Sequence, residues 1–160
     1  MATRNEPRDD TGYDLARVTA YRLAVLSNRL TLWSARVYRR EFGASVLEWR
    51  VLSILAQLGP AMARDVAEFS VLDKSNVSRA VRRLAARGLV AQSSHPADGR
   101  SRILTLTEEG RALHSRIAAR SRDREEALFE DFSADERRTL SALLDRLDTR
   151  ARALLAATEE

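Results

Sequence analysis

The 160-residue chain contains no cysteine. That absence excludes a disulfide framework, a thiolate zinc site, a cysteine nucleophile and cysteine-based peroxide sensing. Histidine is nearly as scarce, His95 and His114 alone, and two imidazoles with no thiolate make a poor transition-metal site. No apolar run approaches the roughly 20 residues that a membrane-spanning helix needs. The opening, "MATRNEPRDDTGYD", mixes charges where a secretory leader would be charged and then apolar. A cytoplasmic protein with no membrane partner is expected. There is no Gly-rich phosphate loop, and the carboxylates are scattered without a Ser/His/Asp constellation on a recognisable motif, so neither catalysis nor a cofactor is expected.

Lysine is almost missing too: of 27 basic residues, all but Lys74 are arginine. This skew reads as codon bias, so a given arginine cannot be argued from its being preferred over lysine. What is informative is where the charge lies. The net charge is only +4, yet the span 74–102 holds Lys74, Arg79, Arg82, Arg83, Arg87, Arg100 and Arg102 against Asp98 alone. A basic patch denser than the whole chain is the footprint of a phosphate-backbone binder. A solvated, salt-bridged face is the bland alternative.

Glycine and proline are absent from Asp14 to about Arg40, where Leu15, Val18, Leu26, Leu30, Trp33 and Val37 recur at helical steps. One long amphipathic helix is expected there, ended by Gly43. "SVLE" at 45–48 reads as a capping box opening a helix to Leu58 that buries Leu47, Val51, Ile54 and Leu55. "GP" at 59–60 stops it. Two short helical patterns follow, "ARDVAEFS" and "SNVSRAVRRLAARG", separated by "VLDK" as a turn. The runs "GLVAQS" and "RILTLT" then alternate apolar and polar residues about a tip, "SSHPADGRSR", in which Asp98-Gly99 is the expected reversing pair. Thr107 caps a further helix to about Phe129, and "SADE" at 133–136 opens a last one carrying Leu140, Leu143, Leu144, Leu147 and Leu154.

Two short helices, a tight turn and a hairpin are the ordering of a winged helix-turn-helix. The fold class expected is mainly α with a small β-wing. Residues 46–106 would form the DNA-binding domain, 14–45 and 107–158 a helical dimerisation region, and 1–13 a flexible segment. The terminal apolar stripes have no core of their own and would bury one another across a two-fold axis. In the second short helix, Val77, Val81 and Leu84 share one face, leaving Lys74, Ser75, Asn76, Ser78, Arg79, Arg82 and Arg83 toward a partner. Asn and Arg can pair with base edges in a major groove, and hydroxyls and the helix start can bond phosphates.

The run from Leu47 to Gly110, above all "LDKSNVSRAVRRLAARGLV", the "DGR" of the hairpin and "LTLTEEG", resembles the winged-helix core of the MarR family of bacterial transcriptional regulators. The resemblance implies a homodimer on a pseudo-palindromic site in double-stranded DNA, one helix per subunit in a major groove, and Arg100 in the adjacent minor groove oriented by Asp98. Many members carry Glu-Arg where this chain has Ala91-Gln92, and a second basic residue at the position of Gly99. The wing therefore leans on Arg100 and Arg102. A repressor released by a small ligand is the expected function, and a non-specific architectural DNA binder is the alternative.

The resemblance also implies an effector pocket for aromatic acids or coenzyme A thioesters. Arg29, Trp33, Arg36 and Arg40 fall on one stripe of the first helix, with Trp49 on the second as another wall. Guanidinium groups beside an aromatic ring suit an aromatic carboxylate or a phosphorylated ligand. Core packing of both tryptophans with solvated arginines is the alternative, and His114 reads as a partly buried helix residue.

Overall fold

The computed structural model describes residues 14–95 and 98–158, with the backbone alone at 98–100. The segment 1–13, expected to be flexible, and the tip residues Pro96 and Ala97 lie outside the described residues. The chain divides into two compact units, one running through Ile117 and one from Ala118. No described helix is long and apolar enough to cross a membrane.

The first unit opens with a single 3-10 turn, Leu15–Arg17, and then α1 (Thr19–Phe42). The uninterrupted helix expected from Asp14 is thus broken. The Asp14 carboxylate accepts from the Ala16 N–H at 3.0 Å and closes its own turn, while Val18 is extended at φ −73, ψ 113. Gly43, at φ +60, ends α1 in the left-handed region that glycine enters without strain. The capping box is formed: Ser45 Oγ accepts from the Glu48 N–H at 3.1 Å, and Glu48 accepts from the Ser45 N–H at 2.7 Å. It starts α2 (Val46–Leu58), which buries Val51, Leu52, Ile54 and Leu55. Leu47, expected inside, is only half-buried, because the buried stripe turns toward Glu48 and Leu52.

A two-residue strand, β1 (Ala61–Met62), leads into α3 (Ala63–Ser70), α4 (Lys74–Ala86), β2 (Val90–His95), β3 (Asp98–Leu106) and α5 (Glu108–Leu128). The strands form one antiparallel sheet in the order β1-β3-β2, with Ala61 opposite Leu104 and Val90 opposite Leu106. β1 carries too short a pattern to be read from periodicity. Asp98 pairs with His95, and the register shifts between Ser94 and His95. Asp98 and Gly99 therefore belong to β3 and are not the expected reversing pair. Val51, Leu52, Val66, Val77, Leu84, Leu104 and Ile117 meet in a single core.

One described residue of this unit is strained. Val71, between α3 and α4, has φ +52 and is 80% exposed. A β-branched side chain in the left-handed region costs about 1–2 kcal/mol, with almost no packing here to offset it. Val71→Asn, which tolerates this backbone, should raise stability by about 1 kcal/mol. Urea unfolding checks this, and an unchanged midpoint would contradict it.

The second unit contains the end of α5 and α6 (Ala134–Ala156). Ser133 and Glu136 cap α6 reciprocally, at 3.3 and 2.8 Å. Arg137 lies 5.5 Å from the centre of the Phe129 ring and donates to the Phe132 carbonyl at 3.2 Å. Within the single chain α6 buries none of its leucines. Leu140 is half-buried, and Leu143, Leu144, Leu147 and Leu154 are exposed. Two helical segments are too few to enclose such a stripe.

Candidate nucleic-acid interface

The site is built on α4. Leu72 packs against the core, which brings Asp73 to the position just before the helix. Its Oδ1 accepts from the N–H of Ser75 at 2.9 Å, the Ser75 hydroxyl at 2.5 Å and the Asn76 N–H at 3.2 Å. The Ser75 hydroxyl, followed by these two N–H groups, holds the Asp73 carboxyl below its ordinary value of 3.8. This cap takes Lys74 out of the expected turn and into the first turn of α4.

Val77, Ala80, Val81 and Leu84 fill the inner face of α4. Lys74, Ser75, Ser78, Arg79, Arg82 and Arg83 are exposed on the helix, and Asn76 is half-buried among them. Arg79 donates from Nη2 to Asn76 Oδ1. No carboxylate lies within α4 itself, so its cations are not neutralised along the helix. They stand ready for an anionic partner.

Arg87 belongs elsewhere. It donates from Nη1 to the Gly43 carbonyl at 3.1 Å and lies 3.8 Å from Glu48 Oε2; that carboxylate's side chain is 7% exposed. Of the seven basic residues in the patch, this one ties the end of α4 to the α1–α2 turn. Removing it would leave a buried carboxylate short of a partner.

In the hairpin, Arg102 donates to Ser94 Oγ at 2.8 Å, directly across the strands. The side chains of Asp98 and Arg100 lie outside the described residues. A set of hydrogen bonds centred on Thr107 joins the hairpin to the helices. Thr107 Oγ1 donates to the Gly88 carbonyl at 2.7 Å and accepts from the Gly110 N–H at 3.0 Å, and the Thr107 N–H donates to the Leu89 carbonyl at 3.2 Å.

A second feature of this unit is aromatic. Trp33 and Trp49 both meet Tyr38, with ring centres 6.5 and 6.0 Å apart and edges facing. Trp49 stacks on His114 at 5.1 Å and 15°. Arg116 lies over Phe42 at 5.4 Å, and Phe42 in turn meets Tyr38. The predicted arginines are not gathered here. Arg29, Arg36 and Arg40 are exposed; Arg29 borders a surface depression with Tyr21, Arg22 and Leu26, and Arg40 pairs with Glu41 at 2.8 Å. A stripe from residue 29 to 40 runs roughly 16 Å along a helix axis, too far for its ends to grip one small ligand. Tyr38, Phe42, His114 and Arg116 were not singled out in the sequence for a pocket. The i, i+4 spacing of Tyr38 and Phe42 was a usable signal, whereas His114 arrives only through packing.

Burial lowers the His114 pKa below the ordinary 6.5. In the window beneath 6.5 the unfolded chain then holds a proton that the folded chain lacks. Stability from this group is complete above that value and falls on acidification through it. Thermal melts at pH 7.5 and 5.5 should show the loss, and His114→Phe, which keeps an aromatic stack, should reduce it. An equal loss in that variant would assign it to other groups.

Comparison with known proteins agrees with this architecture. The model of the MarR family matches residues 42–101, from the end of α1 into the hairpin. An HTH-type transcriptional regulator of Bacillus subtilis (strain 168), YxaD, is 32% identical over 98 residues, covering 61% of this chain and 68% of its own. The crystal structure of a MarR/EmrR family transcriptional regulator from Acinetobacter sp. ADP1 superposes with a TM-score of 0.80 at 28% identity, over 88% of this chain and 99% of that one. The PcaV transcriptional regulator from Streptomyces coelicolor, solved in complex with its natural ligand, is also 28% identical, with a TM-score of 0.72 over 87% of this chain and 97% of its own. With a capped, cation-bearing α4 followed by a stitched β-hairpin, and with these relatives, the chain belongs to the MarR family of DNA-binding, winged helix-turn-helix transcriptional regulators.

Proposed function

We propose that the chain acts as a homodimer on a pseudo-palindromic operator in double-stranded DNA, and represses transcription until a small aromatic acid or a coenzyme A thioester releases it. The observation that carries this reading is the outer face of α4, whose cations and hydroxyls stand exposed over a helix anchored by four buried apolar side chains. Lys74 and Ser78 are suited to phosphate, Asn76 and Arg79 to base edges, and Arg82 and Arg83 to the flanking backbone, while Ser75 directs its donors to the Asp73 cap. From the hairpin, Arg100 enters the minor groove with Asp98 orienting it and Arg102 beside it, since a narrow minor groove attracts a guanidinium.

Unpartnered leucines support the dimer. Leu23, Leu26 and Leu32 of α1 and Leu143, Leu144 and Leu147 of α6 are each at least 37% exposed, more apolar surface than a lone helix pair keeps in water. The aromatic cluster about Tyr38 supports a ligand that is itself flat. PcaV, solved with its natural ligand, lends weight to a small-molecule effector. Binding that favours the DNA-incompetent spacing of the two α4 helices lowers operator affinity by the same coupling factor.

Selection from a random pool of duplexes tests this reading. The expected product is an inverted repeat whose half-sites lie about one helical turn apart, bound by a particle of twice the chain mass in sedimentation. Uniform coverage of DNA would favour an architectural binder, and a folded monomer at micromolar concentration would contradict the dimer. For the effector, quenching of Trp33 and Trp49 fluorescence by aromatic acids or their coenzyme A thioesters should accompany loss of DNA binding.

A further inference from the structure

The hydrogen bond between Arg79 and Asn76 constrains what α4 can read. A guanidinium is donor-only and stays charged, so the amide atom facing it is the oxygen. The Asn76 amide is thereby turned, with its NH2 group away from Arg79. The helix start beneath it is also held, because Asp73 bonds both the Ser75 and the Asn76 N–H. With Oδ1 occupied, the remaining polar groups of the two side chains are N–H donors: two on Asn76, and those on Arg79 not directed at Oδ1.

We propose that Asn76 and Arg79 work as one donor-rich reading unit that selects guanine and rejects cytosine at the base step it meets. This rests on the reading of α4 as the major-groove helix. Guanine offers two acceptors there, O6 and N7, whereas cytosine offers a donor at N4. An independent Asn would instead be free to turn and match adenine with one donor and one acceptor. Arg79 is thus a positioning residue for Asn76 as well as a contact, and the base preferences that the two residues confer are coupled.

The test measures relative affinity for each base at every half-site position of the selected operator, using the full-length chain and its Asn76→Ala, Arg79→Ala, doubly substituted and Asn76→Asp variants. Asn76 is half-buried and Arg79 exposed, and circular dichroism verifies that each variant folds. The parent should prefer guanine over cytosine by roughly tenfold or more at the shared step. Each alanine variant should lose that preference at the same positions, and the double variant should lose little more than either single one. Asn76→Asp keeps the bond with Arg79 but replaces the amide donors by an acceptor, so it should move the preference toward cytosine.

Preferences that vanish at separate positions and multiply in the double variant would overturn the coupled unit while leaving α4 as the reading helix. A selected operator whose base preferences are unmoved by all four variants would overturn both the unit and the assignment of α4.

Discussion

Gly110→Ala should destabilise the fold by about 3 kcal/mol or more, the upper range for overpacking a tight interior. A methyl group built on Gly110 would stand 2.0 Å from the Leu89 carbonyl oxygen and 3.4 Å from a Leu106 methyl carbon. The first of these is backbone, which cannot turn aside as a side chain does. Nor is that carbonyl free to retreat, since it accepts from the Thr107 N–H at 3.2 Å while Thr107 also bonds Gly88. Moving it would open the junction that joins the end of α4 and the start of β2 to the start of α5. The expected result is a large shift of the urea midpoint at matched chain concentration. A variant that unfolds with the parent would mean the junction can spread, and that the glycine of "LTLTEEG" has no packing reason.

Arg82→Ala/Arg83→Ala should weaken operator binding by about four orders of magnitude, since four guanidiniums leave the DNA backbone of a dimer and each costs roughly tenfold. In a symmetric dimer the pair is present twice. The slope of log affinity against log salt should then fall by roughly 3 to 4, close to 0.9 for each phosphate released. Arg87→Ala provides the internal contrast. Its guanidinium is directed at Gly43 and Glu48, so this substitution should lower folding stability and leave the salt slope nearly unchanged. A slope insensitive to Arg82 and Arg83, or one that responds as strongly to Arg87, would contradict the division of the basic patch drawn from the structure.

That division shows where sequence reading succeeds. The buried and exposed faces of α4 are visible in the alternation of Val77, Val81 and Leu84 with Arg79, Arg82 and Arg83, because a helix maps spacing directly onto direction. Both capping boxes, Ser45 with Glu48 and Ser133 with Glu136, were legible for the same reason: donor and acceptor are three residues apart and need only the first turn to meet. The hairpin was visible as two alternating runs. Its reversal was misplaced because Asp98-Gly99 is a frequent turn pair and equally compatible with a strand end, and the choice is made by pairing across β2 and β3.

Everything set by local periodicity and capping, the order of helices, the winged helix-turn-helix and the exposed face of α4, was thus determined by the amino-acid sequence alone. Tertiary structure decided which long side chains that face retains. Arg87 looks like its neighbours in sequence, but the carbonyl of Gly43 and the buried Glu48 come within its reach only when α4 docks beside α2. His114 beneath Trp49, Tyr38 between two tryptophans and Gly110 against Leu89 have the same origin. Such contacts join residues far apart along the chain, and the close packing of the interior selects them together.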